Sequence, residues 1–425
     1  MEDIEVDTRK YRSDRGECAI LIGDVIDRLR DIPDQCVQTV VTSPPYFGLR
    51  DYGVDGQIGL EPTPEEFVET IVETFREVRR VLRDDGTVWL NLGDSYGDGK
   101  QLQGIPWRVA FALQQDGWYL RQDIIWHKPN PMPESVTDRC TNAHEHLFLL
   151  SKSKRYFYDH YAIRVESETE AGTAGDWDGN RDFNLPDGNT RFAKPNLGGS
   201  IDGQRNKRDV WTIKPAKFAE AHFATYPPEL IKPCILAGTS EHGACSECGA
   251  PFEREVSKGD LISSGPNKMA QKPRSRNRMN PENEQPDEYG DLPRRERAFV
   301  GWQPTCDCDD PAPEPCLVLD PFAGSGTTGA VATDHGRGAF LIELNPEYAE
   351  LAEKRVAEYE PEIKDLDFSE NMTETLEAIA NDGDGDHHWS TLRALRRREL
   401  IDGGNDLLVD RSEALGICRW YKENG

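Results

Sequence analysis

The sequence predicts an α/β fold with a mostly parallel sheet, and three observations predict it. From Cys18 onward, strand-like and helix-like segments alternate, as βαβ units require. Leu317-Val318-Leu319-Asp320 leads into Gly324-Ser325-Gly326, a strand entering a tight glycine turn before a helix. Val37 to Val41 is a run rich in β-branched residues that stops at Thr42-Ser43-Pro44-Pro45-Tyr46, a strand feeding a stiff turn.

Taken in order, Ala19 to Ile22 is a short apolar strand ending at Gly23-Asp24, and a helical stretch with Val25 and Leu29 follows. Pro64-Glu65-Glu66 opens an amphipathic helix with Phe67, Ile71, Phe75, Val78 and Leu82 at helical spacing. Asp84-Asp85-Gly86 is expected to end it. Thr87 to Leu92 reads as a strand, Ile105 to Gln115 as a helix, and Tyr119 to Trp126 and His146 to Leu150 as strands. Residues 166–206 are rich in Gly, Asp, Asn and Thr, and residues 256–297 in Pro, Asn, Arg and Glu; both read as irregular. Leu317 to Leu319 and Ala339 to Ile342 are strands flanking a helix that starts near Thr327. Beyond Pro361 an acidic stretch, Asn381 to Asp386, precedes a basic helix-like piece, Thr391 to Leu400. No internal repeat is apparent.

The chain has 425 residues, enough for one large α/β domain with insertions or for two domains. It lacks an apolar run of about 18 residues, and its N-terminus is acidic, so a cytoplasmic location is expected. The formal net charge is −27, with Asp and Glu spread along the whole length. Such a balance excludes a generally basic nucleic-acid binder and suits a solvated surface of the kind halophile proteins carry. A local basic patch such as Lys272 to Arg278 remains compatible with phosphate contacts.

Gly324, Gly326 and Gly329 satisfy a GxGxxG spacing, and Glu343 ends the following strand, placed to accept hydrogen bonds from ribose hydroxyls. This pattern alone fits a nicotinamide or flavin dinucleotide as well as S-adenosylmethionine. The Ser43 turn adds chemistry. An exocyclic base amine is a poor nucleophile, and acceptors for both of its N–H bonds favour a pyramidal nitrogen. Ser43 Oγ and the Pro44 carbonyl are candidates for those acceptors, Pro45 stiffens the turn, and Tyr46 offers a face for a base rotated out of a duplex.

Together, Ser43-Pro44-Pro45-Tyr46 and Asp320-Pro321-Phe322-Ala323-Gly324-Ser325-Gly326 resemble the amino-methyltransferases of DNA, and the likeness spans most of 18–348. The catalytic turn precedes the cofactor turn, which is similar to the circularly permuted β class, and Ser in the first catalytic position is similar to cytosine-N4 enzymes. The resemblance implies a Rossmann-like, S-adenosylmethionine-dependent fold with a seven-stranded sheet. It implies catalytic roles for Ser43, Pro44, Pro45 and Tyr46. Cofactor contacts are implied for Asp24, Phe223, Thr225, Asp320, Pro321, Phe322, Gly324, Gly326 and Glu343. It further implies methylation of cytosine N4 in double-stranded DNA by base flipping, with adenine N6 as the alternative. A cognate restriction endonuclease and a homodimeric state are compatible partners. Stretches 91–96, 123–130 and 144–146 also match, although Trp89, Trp126 and Phe148 read better as core, His144 and His146 as satisfied histidines, and Asp94 as a cap.

Cys245-Ser-Glu-Cys248-Gly is a knuckle, and Cys306-Asp-Cys308 completes a four-thiolate set suited to structural zinc. Such a site would staple a loop bearing Lys272, Arg274, Arg276 and Arg278, a candidate DNA contact. A non-catalytic zinc-dependent DNA-binding protein is the remote alternative. The expected organisation is a catalytic half (17–165), a recognition region (166–213), a cofactor-closing segment (214–240), the cysteine-flanked insertion (241–315), a cofactor half (316–362) and an acidic extension (363–425).

Overall fold

Val37–Thr42 is buried at every position, so this strand needs cover on both faces and belongs in the middle of a helix-flanked sheet. The computed structural model describes residues 8–13, 16–166, 204–215, 226–262 and 294–358. Its main sheet contains β1 (Thr8–Ser13), β2 (Gly16–Ile22), β3 (Val37–Thr42), β4 (Leu82–Leu92), β5 (Tyr119–His127), β6 (His144–Ser151), β7 (Val210–Thr212), β8 (Leu317–Asp320) and β9 (Gly338–Glu343). Their spatial order is β1-β2-β9-β8-β3-β4-β6-β5-β7. Only β1 and β6 run against the rest. The two C-terminal strands therefore fill the gap between β2 and β3.

The helices are α1 (Val25–Arg30), α2 (Pro64–Val81), α3 (Ile105–Gln115), α4 (Pro228–Gly238), α5 (Thr327–Asp334) and α6 (Pro346–Glu358). Thr63 caps α2 by accepting from Glu66 N, with Pro64 at its first turn. The α2 stripe of Phe67, Ile71, Phe75 and Val78 packs with Leu29 of α1, Val109 of α3 and the inward residues Val40, Leu90 and Phe148 of the sheet. Burying each large side chain contributes about 1.5–3 kcal/mol, well above the few tenths by which β-branched residues disfavour a helix. On the other face, close approach is achieved by glycine: a Cβ on Gly238 of α4 would meet Thr39 at 2.4 Å, and one on Gly329 of α5 would meet Leu341 at 2.7 Å.

Three expectations need correcting. The sheet has nine strands among the described residues, not seven, because the short β1 and β7 pair onto its edges. The α2 helix stops at Val81, and Asp84-Asp85-Gly86 lies inside β4. There a register shift opposite Val37 to Thr39 absorbs the added length, Leu82 lies where a Cβ on Gly86 would sit, and Arg83 pairs with Asp85. The stretch 256–297 is not irregular throughout. Phe252–Ile262 and Arg294–Pro304 form an antiparallel hairpin with two register shifts, so cross-strand pairing overrides a weak local pattern. Residues 167–203, 263–293 and 359–425, which hold most of the recognition region, Lys272 to Arg278 and the acidic extension, lie outside the described residues. Among those described, no helix is long and apolar enough to cross a membrane.

Candidate active site

Adjacent parallel strands β3 and β8 deliver the two sequence motifs to the same edge of the sheet. A cavity of about 400 Å³ opens there, within the usual range of roughly 300–1,000 Å³ for small-molecule sites. Ser43, Pro44, Pro45 and Tyr46 line one part of it, and Asp24, Pro321, Phe322, Gly324 and Glu343 another. Phe223 and Thr225 lie outside the described residues.

Asp320 and Gly326 do not line the cavity; they hold the turn that does. Asp320 is fully buried, its Oδ1 accepting from Thr42 Oγ1 at 2.7 Å and Phe322 N at 3.1 Å. Its Oδ2 accepts from Tyr226 and Thr328 hydroxyls, each at 2.6 Å. Burial pushes this carboxyl up, while the same donors hold it down. Gly326 has φ +77° and a Cβ there would meet the Ala352 backbone at 2.7 Å. Gly324 (φ +52°) would meet nothing within 4 Å, leaving its backbone open for a ligand to approach.

Glu343 accepts from Gly324 N at 2.8 Å through Oε2 and from Asn345 N at 2.9 Å through Oε1. Burial nevertheless pushes its carboxyl up to about 7. Asp24 caps α1, accepting from Ile26 N and Asp27 N. A carboxylate at a strand end, a bare glycine backbone and the half-buried Phe322 ring are a donor and acceptor set suited to a nucleoside.

The Ser43 side is more polar than the sequence suggested. Tyr46 donates to Glu145 Oε2 at 2.7 Å, and Asn91 Nδ2 donates to Tyr46 Oη and to Glu145 Oε2, both at 2.8 Å. Lys128 pairs with Glu145 Oε1 and sits 4.4 Å above the Trp126 ring. Burial and the Glu145 charge push the Tyr46 phenol well up. A Cβ on Gly93 would meet the Tyr46 ring at 2.5 Å, so the ring packs closely against this glycine. Tyr226, Asn91 and Glu145 lie in stretches that match the family, but sequence alone assigns none of them an individual role. The available signal was a polar residue inside the apolar run that ends a strand, as Asn91 is within Val88–Leu92 of β4.

The remaining expected roles separate cleanly. Trp89 and Phe148 are core. Trp126, also buried, both lines the cavity and donates to Ile213 O at 2.9 Å. His146 bonds Asp123 at 2.9 Å and stacks on Phe148; neither it nor His144 lines the cavity. Asp94 caps α3, accepting from Gly104 N and Ile105 N.

The sulfurs of Cys245, Cys248, Cys306 and Cys308 lie within 4.8 Å of one another, close to the spread a tetrahedral metal bound at about 2.3 Å demands. Backbone N–H groups of Cys248 and Glu247 bring the Cys245 thiol down to about 7. This cluster hangs on the opposite edge of the sheet. Gln38, near the start of β3, donates to Gly249 O at 3.0 Å and accepts from Leu317 N at 2.6 Å, and Arg83, near the start of β4, donates to Cys248 O.

The model of the N6/N4 DNA methylase family matches residues 37–246 and 313–354. Type II methyltransferase M.Cfr9I from Citrobacter freundii is 36% identical over 362 residues, covering 79% of this chain and 86% of its own. Type II methyltransferase M.XycI from Xanthomonas campestris pv. cyanopsidis is 38% identical over the same shares. Among solved structures, the chain is similar to PvuII DNA methyltransferase (cytosine-N4-specific), with 17% identity, a TM-score of 0.47, and coverage of 81% of this chain and 88% of that one.

Proposed function

The chain belongs to the N6/N4 DNA methylase family, S-adenosylmethionine-dependent enzymes that methylate DNA, and from that premise we propose that it methylates the N4 amine of cytosine at a specific site in double-stranded DNA. The observation that carries the reading is a single cavity lined both by Ser43 and by the Gly324–Glu343 pair. Ser in the first position of the catalytic turn supports cytosine; adenine N6 is the alternative.

S-adenosylmethionine supplies the methyl group when bound. In this reading Glu343 accepts its ribose hydroxyls, Gly324 lets the backbone approach it, and Phe322 and Asp24 border its base. Ser43 Oγ and the Pro44 carbonyl accept the two N–H bonds of a target amine flipped from the duplex, and Tyr46, which lines the cavity, supports its ring. Asp320 acts indirectly, by holding the glycine turn against β3. The order of segments, with C-terminal strands filling the centre of the sheet, supports the permuted arrangement.

Zinc on Cys245, Cys248, Cys306 and Cys308 is proposed as structural, since four protein ligands leave no open position. The type II designation of the relatives supports a restriction-modification context with a cognate endonuclease. Nucleoside mass spectrometry of DNA incubated with isotope-labelled S-adenosylmethionine tests the base. Labelled N4-methylcytosine upholds the reading, labelled N6-methyladenine reverses the base, and no label with no cofactor binding overturns the enzyme reading.

A further inference from the structure

In the cavity, three oxygens stand in sequence. Ser43 Oγ donates toward Tyr46 Oη at 3.3 Å, and Tyr46 Oη donates to Glu145 Oε2 at 2.7 Å. The direction of this chain is decided by Asn91. Its Nδ2 lies 2.8 Å from both Tyr46 Oη and Glu145 Oε2, and exchanging amide oxygen and nitrogen would set an acceptor against a carboxylate. Asn91 therefore donates to Tyr46 Oη, whose own proton is left to point at Glu145. Asn91 Oδ1 is buried without a partner, the cost of holding this orientation.

We propose that Ser43, Tyr46 and Glu145 form a proton relay that draws one proton off the target amine as its nitrogen takes the methyl group, with Glu145 as the terminal acceptor. The inference rests on the reading of Ser43 as an acceptor of the amine N–H, and it applies to a cytosine or an adenine amine alike. One N–H bond breaks while the N–CH₃ bond forms, and its electron pair stays on nitrogen and cancels the positive charge developing there. The amine proton passes to Ser43 Oγ, the Ser43 hydroxyl proton to Tyr46 Oη, and the Tyr46 proton to Glu145 Oε2.

The surroundings suit each member. Tyr46 is held neutral, so it passes a proton on rather than losing one outright. Lys128 pairs with Glu145 Oε1, setting a positive charge beside the acceptor and leaving Oε2 to face Tyr46. The Glu145 side chain is 14% exposed, which lets the proton leave to solvent before the next turnover. Glu145 is thus a positioning and proton-accepting residue that works through Tyr46, and the apolar strand around it, Leu147 to Leu150, does not require a carboxylate there.

The test is single-turnover methylation of duplex DNA by wild type, Glu145→Gln, Tyr46→Phe and the double variant, in H₂O and D₂O, with cofactor and DNA affinities measured alongside. General acid–base assistance contributes about 10²–10⁴-fold, so either single variant should lose at least about tenfold in rate while both affinities hold. The double variant should be no worse than the weaker single, and a solvent isotope effect present in wild type should vanish in both. Glu145→Gln and Tyr46→Phe within about threefold of wild type, losses that multiply, or an unchanged isotope effect would overturn the relay. If Glu145→Gln does not fold, Tyr46→Phe decides alone. Wild type that labels no base overturns instead the functional reading beneath it.

Discussion

The Thr42 hydroxyl donates to Asp320 Oδ1 at 2.7 Å across a separation of 278 residues. Thr42 ends β3 and Asp320 ends β8, so this one bond fastens the Ser43 turn to the glycine turn and fixes how the two halves of the cavity face each other. Both residues are buried, where a carboxylate loses much if a donor is withdrawn.

Replacing Thr42 by Val keeps the shape and removes that donor. The substitution should destabilise the fold by about 1–3 kcal/mol and weaken cofactor binding, since the same Asp320 oxygen also holds Phe322 N. Urea denaturation and calorimetry check both. Stability equal to wild type would mean that the remaining donors suffice.

Glu343 gives a pH dependence. Its carboxyl titrates near 7 in the fold, above the ordinary range, so it contributes stability below about pH 4.5 that is lost as pH rises through 7. A ribose donating to the ionised form reverses the preference. Affinity for 5′-methylthioadenosine, which has a ribose but no amino-acid groups, should therefore rise by up to about tenfold per pH unit below 7 and flatten above it. Glu343→Gln should bind more weakly at pH 8 with a flat profile. A sloping profile in the variant would place the titration elsewhere.

The cysteine cluster and the cavity occupy opposite edges of the sheet, so they should come apart experimentally. Elemental analysis should find about one zinc per chain. Cys306→Ser should lose it and lower the Tm, while methylthioadenosine affinity stays within about twofold. A metal-free wild type with an unchanged Tm in chelator would remove the zinc reading.

A net charge of −27 opposes folding by self-repulsion until counterions screen it. The Tm should climb between about 0.1 M and 2 M KCl, with activity following. Full activity and an identical Tm in low salt would show that the acidic surface makes no such demand.

Much of this fold was legible because it rests on periodicity and on glycine. The buried run at Val37–Thr42 and the α2 stripe announce a sheet and a helix through patterns that short-range sterics and burial impose. The positive φ of Gly324 and Gly326 needs glycine whatever the surroundings. The hairpin of Phe252–Ile262 with Arg294–Pro304 was hidden because its stability comes from a partner strand more than 30 residues away in sequence, and its own residues alternate poorly.

The motifs themselves, with their residue types and order, were set by the linear chain: a proline-stiffened Ser43 turn, a glycine turn and four cysteines in two close pairs. Which residues touch was decided only by the tertiary structure. Asp320, named from sequence as a cofactor contact, is turned inward by Thr42, Tyr226 and Thr328. Glu145, part of the matching stretch 144–146 but given no role of its own from sequence, arrives beside Tyr46 because β6 pairs antiparallel with β4 in a register that sets Leu147 opposite Asn91. Local sterics act between neighbours and can be read along a chain; hydrogen bonds between side chains depend on sheet order and register, which only long-range packing selects.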